Sequence, residues 1–157
     1  MRSSVEAQLR QFLLALAGAM CLGTLVELWL ADHTQEPLQW VPFGLSVVGL
    51  AAVVAFWLRP SPATLWALRA AMAVVVLGAL AGVFLHLTGN LEFALETQPD
   101  ADSLTIFWQA LRGGAPALAP GVLAITAALA GVATYRHPVL EARERVMTNR
   151  AGDSAHG

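Results

Sequence analysis

The sequence predicts an all-α integral membrane protein, a four-helix bundle with a short amphipathic surface helix before its last span. Three observations predict it. Of the 157 residues 57% are hydrophobic and 13% charged, with a mean hydropathy of +0.61, against about 25% charged residues in an average soluble domain. Four apolar stretches, about 11–31, 39–58, 64–89 and 116–135, each approach the ~20 helical residues that cross a bilayer. All 9 basic residues are Arg, and a four-span arrangement puts Arg2, Arg10, Arg59, Arg69, Arg136, Arg143, Arg145 and Arg150 on one side, leaving only Arg112 on the other.

The first stretch follows a polar start, Met1 to Gln8. It is too long for a signal core and lacks a clean small-residue cleavage site, so it reads as an uncleaved span. Its Ala15, Ala19, Gly23 and Glu27 step by four and form one small-residue stripe ending in a carboxylate. After the polar turn Asp32 to Pro37 comes the second span, with Pro42 in its first turn, where a missing N–H costs little. Arg59-Pro60-Ser61-Pro62 then breaks the chain, and so short a link makes the second and third spans an antiparallel hairpin.

The third span carries the stripe Gly78, Gly82, His86 and Asn90: two residues small enough for a helix to approach, then two polar ones. Gly89-Asn90 is a candidate break before Glu92 and Glu96. Beyond the acidic loop Thr97 to Asp102, either Asp102 or Ser103 can cap a helix over 103–112. Its Leu104, Phe107, Trp108 and Leu111 follow helical spacing, and ten residues cannot cross a bilayer, so it is expected at the membrane surface or over the bundle. Gly113-Gly114 ends it. The membrane domain thus covers 1–136. Residues 137–157 form a tail in which Glu141 and Arg145 are an i, i+4 pair.

Arginine asymmetry of eight to one places both termini in the cytoplasm, and the use of Arg without Lys alongside heavy Ala and Gly usage suggests a GC-rich bacterium, so a bacterial inner (plasma) membrane is expected. Trp29, Trp40 and Trp108 then fall near the outer interface and Trp57 and Trp66 near the inner one. A net charge of −2 without a basic stripe excludes nucleic acid as a partner. The single Cys21 excludes an intrachain disulfide, a CxxC pair and a cysteine-based metal site. No haem-binding histidine pair, HExxH, GxSxG, Walker lysine or dinucleotide turn occurs, so no cofactor is signalled.

Glu27 lies 17 residues beyond Arg10 and His86 lies 17 beyond Arg69, placing both about 25 Å from the inner arginines. Because spans one and three run in the same direction, the two side chains are expected to meet, as an ion pair, a proton relay or half of a metal site. Asn90, Glu92, Glu96 and Arg112 complete the candidate ligand-binding set, with Arg112 the natural partner of one of the two glutamates. The leading reading is non-enzymatic, an outer-leaflet site that binds or passes a small cation or proton. One alternative is an accessory or assembly subunit, whose sign would be a small-residue stripe facing lipid. Another is an enzyme acting on a lipid or quinone head group. Membrane lipid and a homo-oligomer or other membrane subunits are the expected partners, since so small a bundle encloses no aqueous path alone.

Overall fold

The computed structural model describes residues 2–114 and 119–140; the start of the fourth apolar stretch and the Glu141–Arg145 pair lie outside them. Among these residues the chain is all helical: α1 (Arg2–Leu30), a 3₁₀ turn (Pro37–Gln39), α2 (Trp40–Leu58), α3 (Pro62–Thr97), α4 (Ser103–Arg112) and α5 (Gly121–Thr134). Three of them, α1, α2 and α3, are long and apolar enough to cross a membrane. The fourth apolar helix, α5, has 14 described residues.

Local chemistry explains the boundaries. α1 begins at Arg2 rather than near residue 11, because nothing between Ser3 and Leu9 breaks a helix. It ends in a Schellman turn: Asp32 takes φ 52°, its N–H bonds the carbonyl of Trp29, and His33 N–H reaches back to Leu28 O. Asp tolerates this left-handed conformation, and its carboxylate accepts from Gln35 Nε2 at 2.8 Å. α3 begins in a reciprocal cap, Ser61 Oγ accepting from Thr64 N at 3.2 Å and Thr64 Oγ1 from Ser61 N at 3.0 Å, with Pro62 as its first residue.

α3 does not end at Gly89-Asn90. It runs unbroken for 36 residues, about 54 Å at 1.5 Å per residue, so its last turns project well past a hydrocarbon core of about 30 Å. Asp102 caps α4, accepting from Leu104 N and Thr105 N at 3.0 and 3.1 Å. The hydrogen bond from the Thr105 hydroxyl, then that from its N–H, holds the Asp102 carboxyl below the usual carboxylate range.

α2 and α5 each pack against both α1 and α3, while the backbones of α1 and α3 make no close approach among the described residues. The core takes Leu14, Ala17 and Cys21 from α1, Val53 and Phe56 from α2, Leu65, Leu68, Met72, Val75 and Ala79 from α3, and Leu123, Ala127, Ala130 and Ala133 from α5. Steps of three and four residues put each set on one helical face. Glycines set the close approaches. A Cβ on Gly49 would stand 3.1 Å from Cys21 Sγ, and one on Gly82 would stand 3.0 Å from Pro120 Cβ. A Cβ on Gly78 would overlap the Leu45 side chain. Gly78 and Gly82 are therefore contact positions, as their spacing predicts, against α2 and the entry to α5.

Candidate functional site

At the acidic end the Schellman turn swings His33 and Glu36 toward α3, where they line a cavity of about 520 Å³ with His86. Gln39 joins them at the polar side, and Leu45, Ala81, Leu85 and Leu123 supply an apolar wall. Gly78 and Gly82 also line it, where α3 meets Leu45 and Pro120. His86 is half-buried. An apolar cavity with a few convergent polar groups has the general form of a ligand site. His33 and Glu36 are missed by sequence reasoning, since a polar turn between spans resembles any solvated loop; the αL position at Asp32 is what aims them.

Glu27 lies elsewhere. It is exposed on the outward face of α1, in a shallow groove of about 670 Å³ formed by Ala19, Leu22, Gly23, Val26, Leu30 and Ala31, all from α1 and its end. The expected packing of α1 on α3 is not what forms: the inward stripe of α1 is Leu14, Ala17 and Cys21, and α3 occupies the opposite corner. The Ala15, Ala19, Gly23, Glu27 stripe is exposed throughout, and nothing lies within 4 Å of where a Gly23 Cβ would stand.

Asn90 has a structural position. It is buried, and its Nδ2 donates to Ala110 O at 3.0 Å, tying α3 to the last turn of α4. Gly113 gives this amide its room: a Cβ there would stand 2.6 Å from Asn90 Oδ1 and would displace it. Asn90 and Ala94 form the α3 face under Ile106 and Ala110; Glu92 and Glu96, each two residues further on, point about 200° around the helix, away from α4. Arg112 therefore meets neither glutamate. Its guanidinium sits 5.7 Å from the Trp108 ring centroid, beside a cavity of about 580 Å³ that Phe93, Gln98, Thr105, Trp108 and Gln109 help to line. Leu104, Phe107 and Trp108 are exposed on α4, so its larger apolar stripe faces away from α3. Asn90→Ala is expected to free α4: amide exchange over 103–112 should rise by the factor of about 5 to 150 that corresponds to losing ~1–3 kcal/mol, while the α1–α3 core stays protected. Unchanged exchange in α4 would show that Ile106 and Ala110 alone hold it.

The basic end contains an arrangement that sequence spacing did not reveal. Arg10 Nη1 donates to Ala133 O and Tyr135 O at 2.9 and 2.6 Å, and Arg69 Nη2 donates to Thr134 O at 2.6 Å. Two guanidiniums, one from each helix flanking α5, thus satisfy the carbonyls that α5 leaves unpaired and oppose the negative end of its dipole. His137 packs edge-on against Phe56 with ring centroids 5.2 Å apart. Burial, then the charges of Arg10 and Arg69, push its pKa below the ordinary histidine value.

No protein family, curated protein or solved structure matches this chain. Among the described residues no three of His, Cys, Asp and Glu converge closely enough to hold a metal ion. The structure places His33, Glu36 and His86 around one cavity, joins Asn90 to the α4 end that carries Arg112, and leaves Glu27, Glu92 and Glu96 exposed.

Proposed function

We propose that the chain is a non-enzymatic, four-span subunit of the bacterial inner membrane that docks against a helix of another membrane protein through the outward face of α1. The exposed stripe Ala15, Ala19, Gly23, Glu27 carries this reading. A lipid-facing helix is ordinarily covered by large apolar side chains, as Phe12 and Leu16 cover this one at 62% and 38% exposure. Small residues leave a groove whose backbone a second helix can approach, and a carboxylate at its end is costly in lipid until a partner donates to it. Membrane placement has further support. Exposed Trp40 and Trp57 lie at opposite ends of α2, 17 residues or about 25 Å apart, as interfacial belts would. α5 runs from Pro120 beside Gly82 to Thr134 beside Arg69, covering the depth of about 20 Å that separates those α3 positions, which supports reading it as part of a fourth span. The arginine asymmetry puts both termini in the cytoplasm.

A cysteine replacing Ala19 is expected to cross-link, in intact membranes, to a second polypeptide. Gly23→Leu should abolish that link yet leave the melting temperature in detergent unchanged, because the added side chain enters open space and such surface changes cost within about 0.5 kcal/mol. Absence of any cross-link from position 19 in a folded chain would remove the docking role.

The His33, Glu36 and His86 cavity supports a second reading, an outer-leaflet site for a small cation, a proton or the head group of a lipid or quinone. His86→Ala would then abolish ligand-dependent stabilisation without altering the Ala19 cross-link.

A further inference from the structure

We infer that the cavity at the basic end holds the phosphate of an anionic phospholipid, with an acyl chain lying along Leu14, Phe56 and Trp57. This rests on the membrane placement of α1–α3 and is independent of docking through α1. The cavity, about 450 Å³, is graded: Glu6, Arg10, Gln11, Arg136 and His137 line its polar part, and Leu14, Phe56 and Trp57 its apolar part. Arginines that serve only to orient a membrane protein need nothing but water around them. Here Arg10 and Arg69 are half-buried and folded onto the end of α5, and the carbonyls they bind carry no formal charge, so the cationic field of both persists. Arg136 adds a third guanidinium, held 5.6 Å from the Tyr135 ring centroid. Among the described residues no ion pair within 4.0 Å neutralises any of the three, and Glu6 is the one carboxylate lining the cavity.

His137 adds a donor without adding charge. Its Nδ1 accepts from Val139 N at 3.3 Å, which leaves Nε2 to carry the proton of the neutral ring; the burial and arginine charges described above keep it neutral near pH 7. A guanidinium has five N–H groups and matches phosphate oxygens in pairs, and Arg10 makes both of its bonds through Nη1, so the rest of its fork is available. The apolar half of the cavity selects the source of the phosphate. A free inorganic ion has no use for Leu14, Phe56 and Trp57, whereas a lipid at the inner interface presents phosphate and chain together, and basic pockets between helices on that side take such head groups.

The test uses the full chain purified in a neutral detergent and titrated with phosphatidylglycerol, phosphatidylcholine or inorganic phosphate while thermal unfolding is followed. Phosphatidylglycerol is expected to raise the melting temperature saturably, and the other two are not. Arg136→Asn should weaken the apparent affinity for phosphatidylglycerol about fivefold, the effect of one basic residue near an anionic surface; Asn suits the φ of 43° at this position, and Arg136 makes no hydrogen bond that α5 needs. Glu6→Gln should tighten binding, and Arg112→Asn, at the far end, should leave it unchanged. Equal protection by phosphatidylcholine would overturn the charge requirement, and equal protection by inorganic phosphate would overturn the lipid. Identical titrations for Arg136→Asn and Arg112→Asn would overturn the site.

Discussion

Arg10→Ala is expected to destabilise the protein by about 2–5 kcal/mol, through loss of charged hydrogen bonds worth ~1.5–3 kcal/mol each and the exposure of carbonyls without partners. Its guanidinium bonds two acceptors, Ala133 O and Tyr135 O. Arg69→Ala removes the bond to the carbonyl between them, Thr134 O, and should cost less, since it takes one bond away. The double substitution should cost less than the sum of the singles by about 0.5–3 kcal/mol, the coupling usual for groups that share partners. Once the last turn of α5 frays, the second arginine has little left to hold. Lysine at position 10 should restore only part of the loss, because an ammonium cannot span two carbonyls as a planar fork does. Chemical unfolding in detergent measures all four, with Arg59→Ala, an exposed arginine in the α2–α3 link, as control. If Arg10→Ala behaves like that control, the arginines are topology signals alone and α5 is held by its alanine face.

Whether an element could be read from the chain depended on whether its signal was local. α4 is legible to the residue, because Asp102, a ten-residue stripe and Gly113-Gly114 all act within a few positions. Gly78 and Gly82 are legible because a missing side chain means close approach wherever the partner comes from. The inward face of α1 is not. A helix apolar on every side carries no amphipathic signal to choose between Leu14, Ala17, Cys21 and Ala15, Ala19, Gly23, so the two stripes look alike until α2 and α5 select one. The same ambiguity underlay the expected meeting of Glu27 and His86: equal depth follows from counting residues, but azimuth depends on which helices are neighbours. Gly89-Asn90 misled for a different reason. Both residues favour helix ends locally, yet Asn90 is drawn into α3 by a tertiary bond to Ala110 O, which no local pattern encodes. The arginine clamp was hidden in the same way, being 123 residues apart in the chain for Arg10 and Ala133.

Gly82→Leu is expected to lower stability by about 1–3 kcal/mol, the cost of forcing extra carbons into a packed contact. The position of its Cβ is only 3.0 Å from Pro120 Cβ and 3.2 Å from Pro120 Cγ. A proline ring cannot turn aside as a flexible side chain does, so α3 and the entry to α5 must separate. Gly78→Ala meets Leu45 Cδ1, Cδ2 and Cγ, a side chain that can change rotamer as a proline ring cannot, and should cost less than Gly82→Ala. Leu80→Ala removes more carbon than either but from a side chain 55% exposed, and lipid takes up the vacated surface, so its melting temperature should stay near that of the parent. Separating the helices also opens the wall of the His86 cavity, so any ligand-dependent stabilisation found there should disappear in Gly82→Leu and persist in Leu80→Ala. Replacing Pro120 by Gly in the Gly82→Leu background removes both the Cβ and the Cγ that the new side chain meets and should recover part of the loss, whereas Ala, which keeps the Cβ, should recover less. Equal melting temperatures for Gly82→Leu and Leu80→Ala would show that the α3 glycine stripe is not a contact surface, and with it would fall the register that lets α5 run from Gly82 to Arg69.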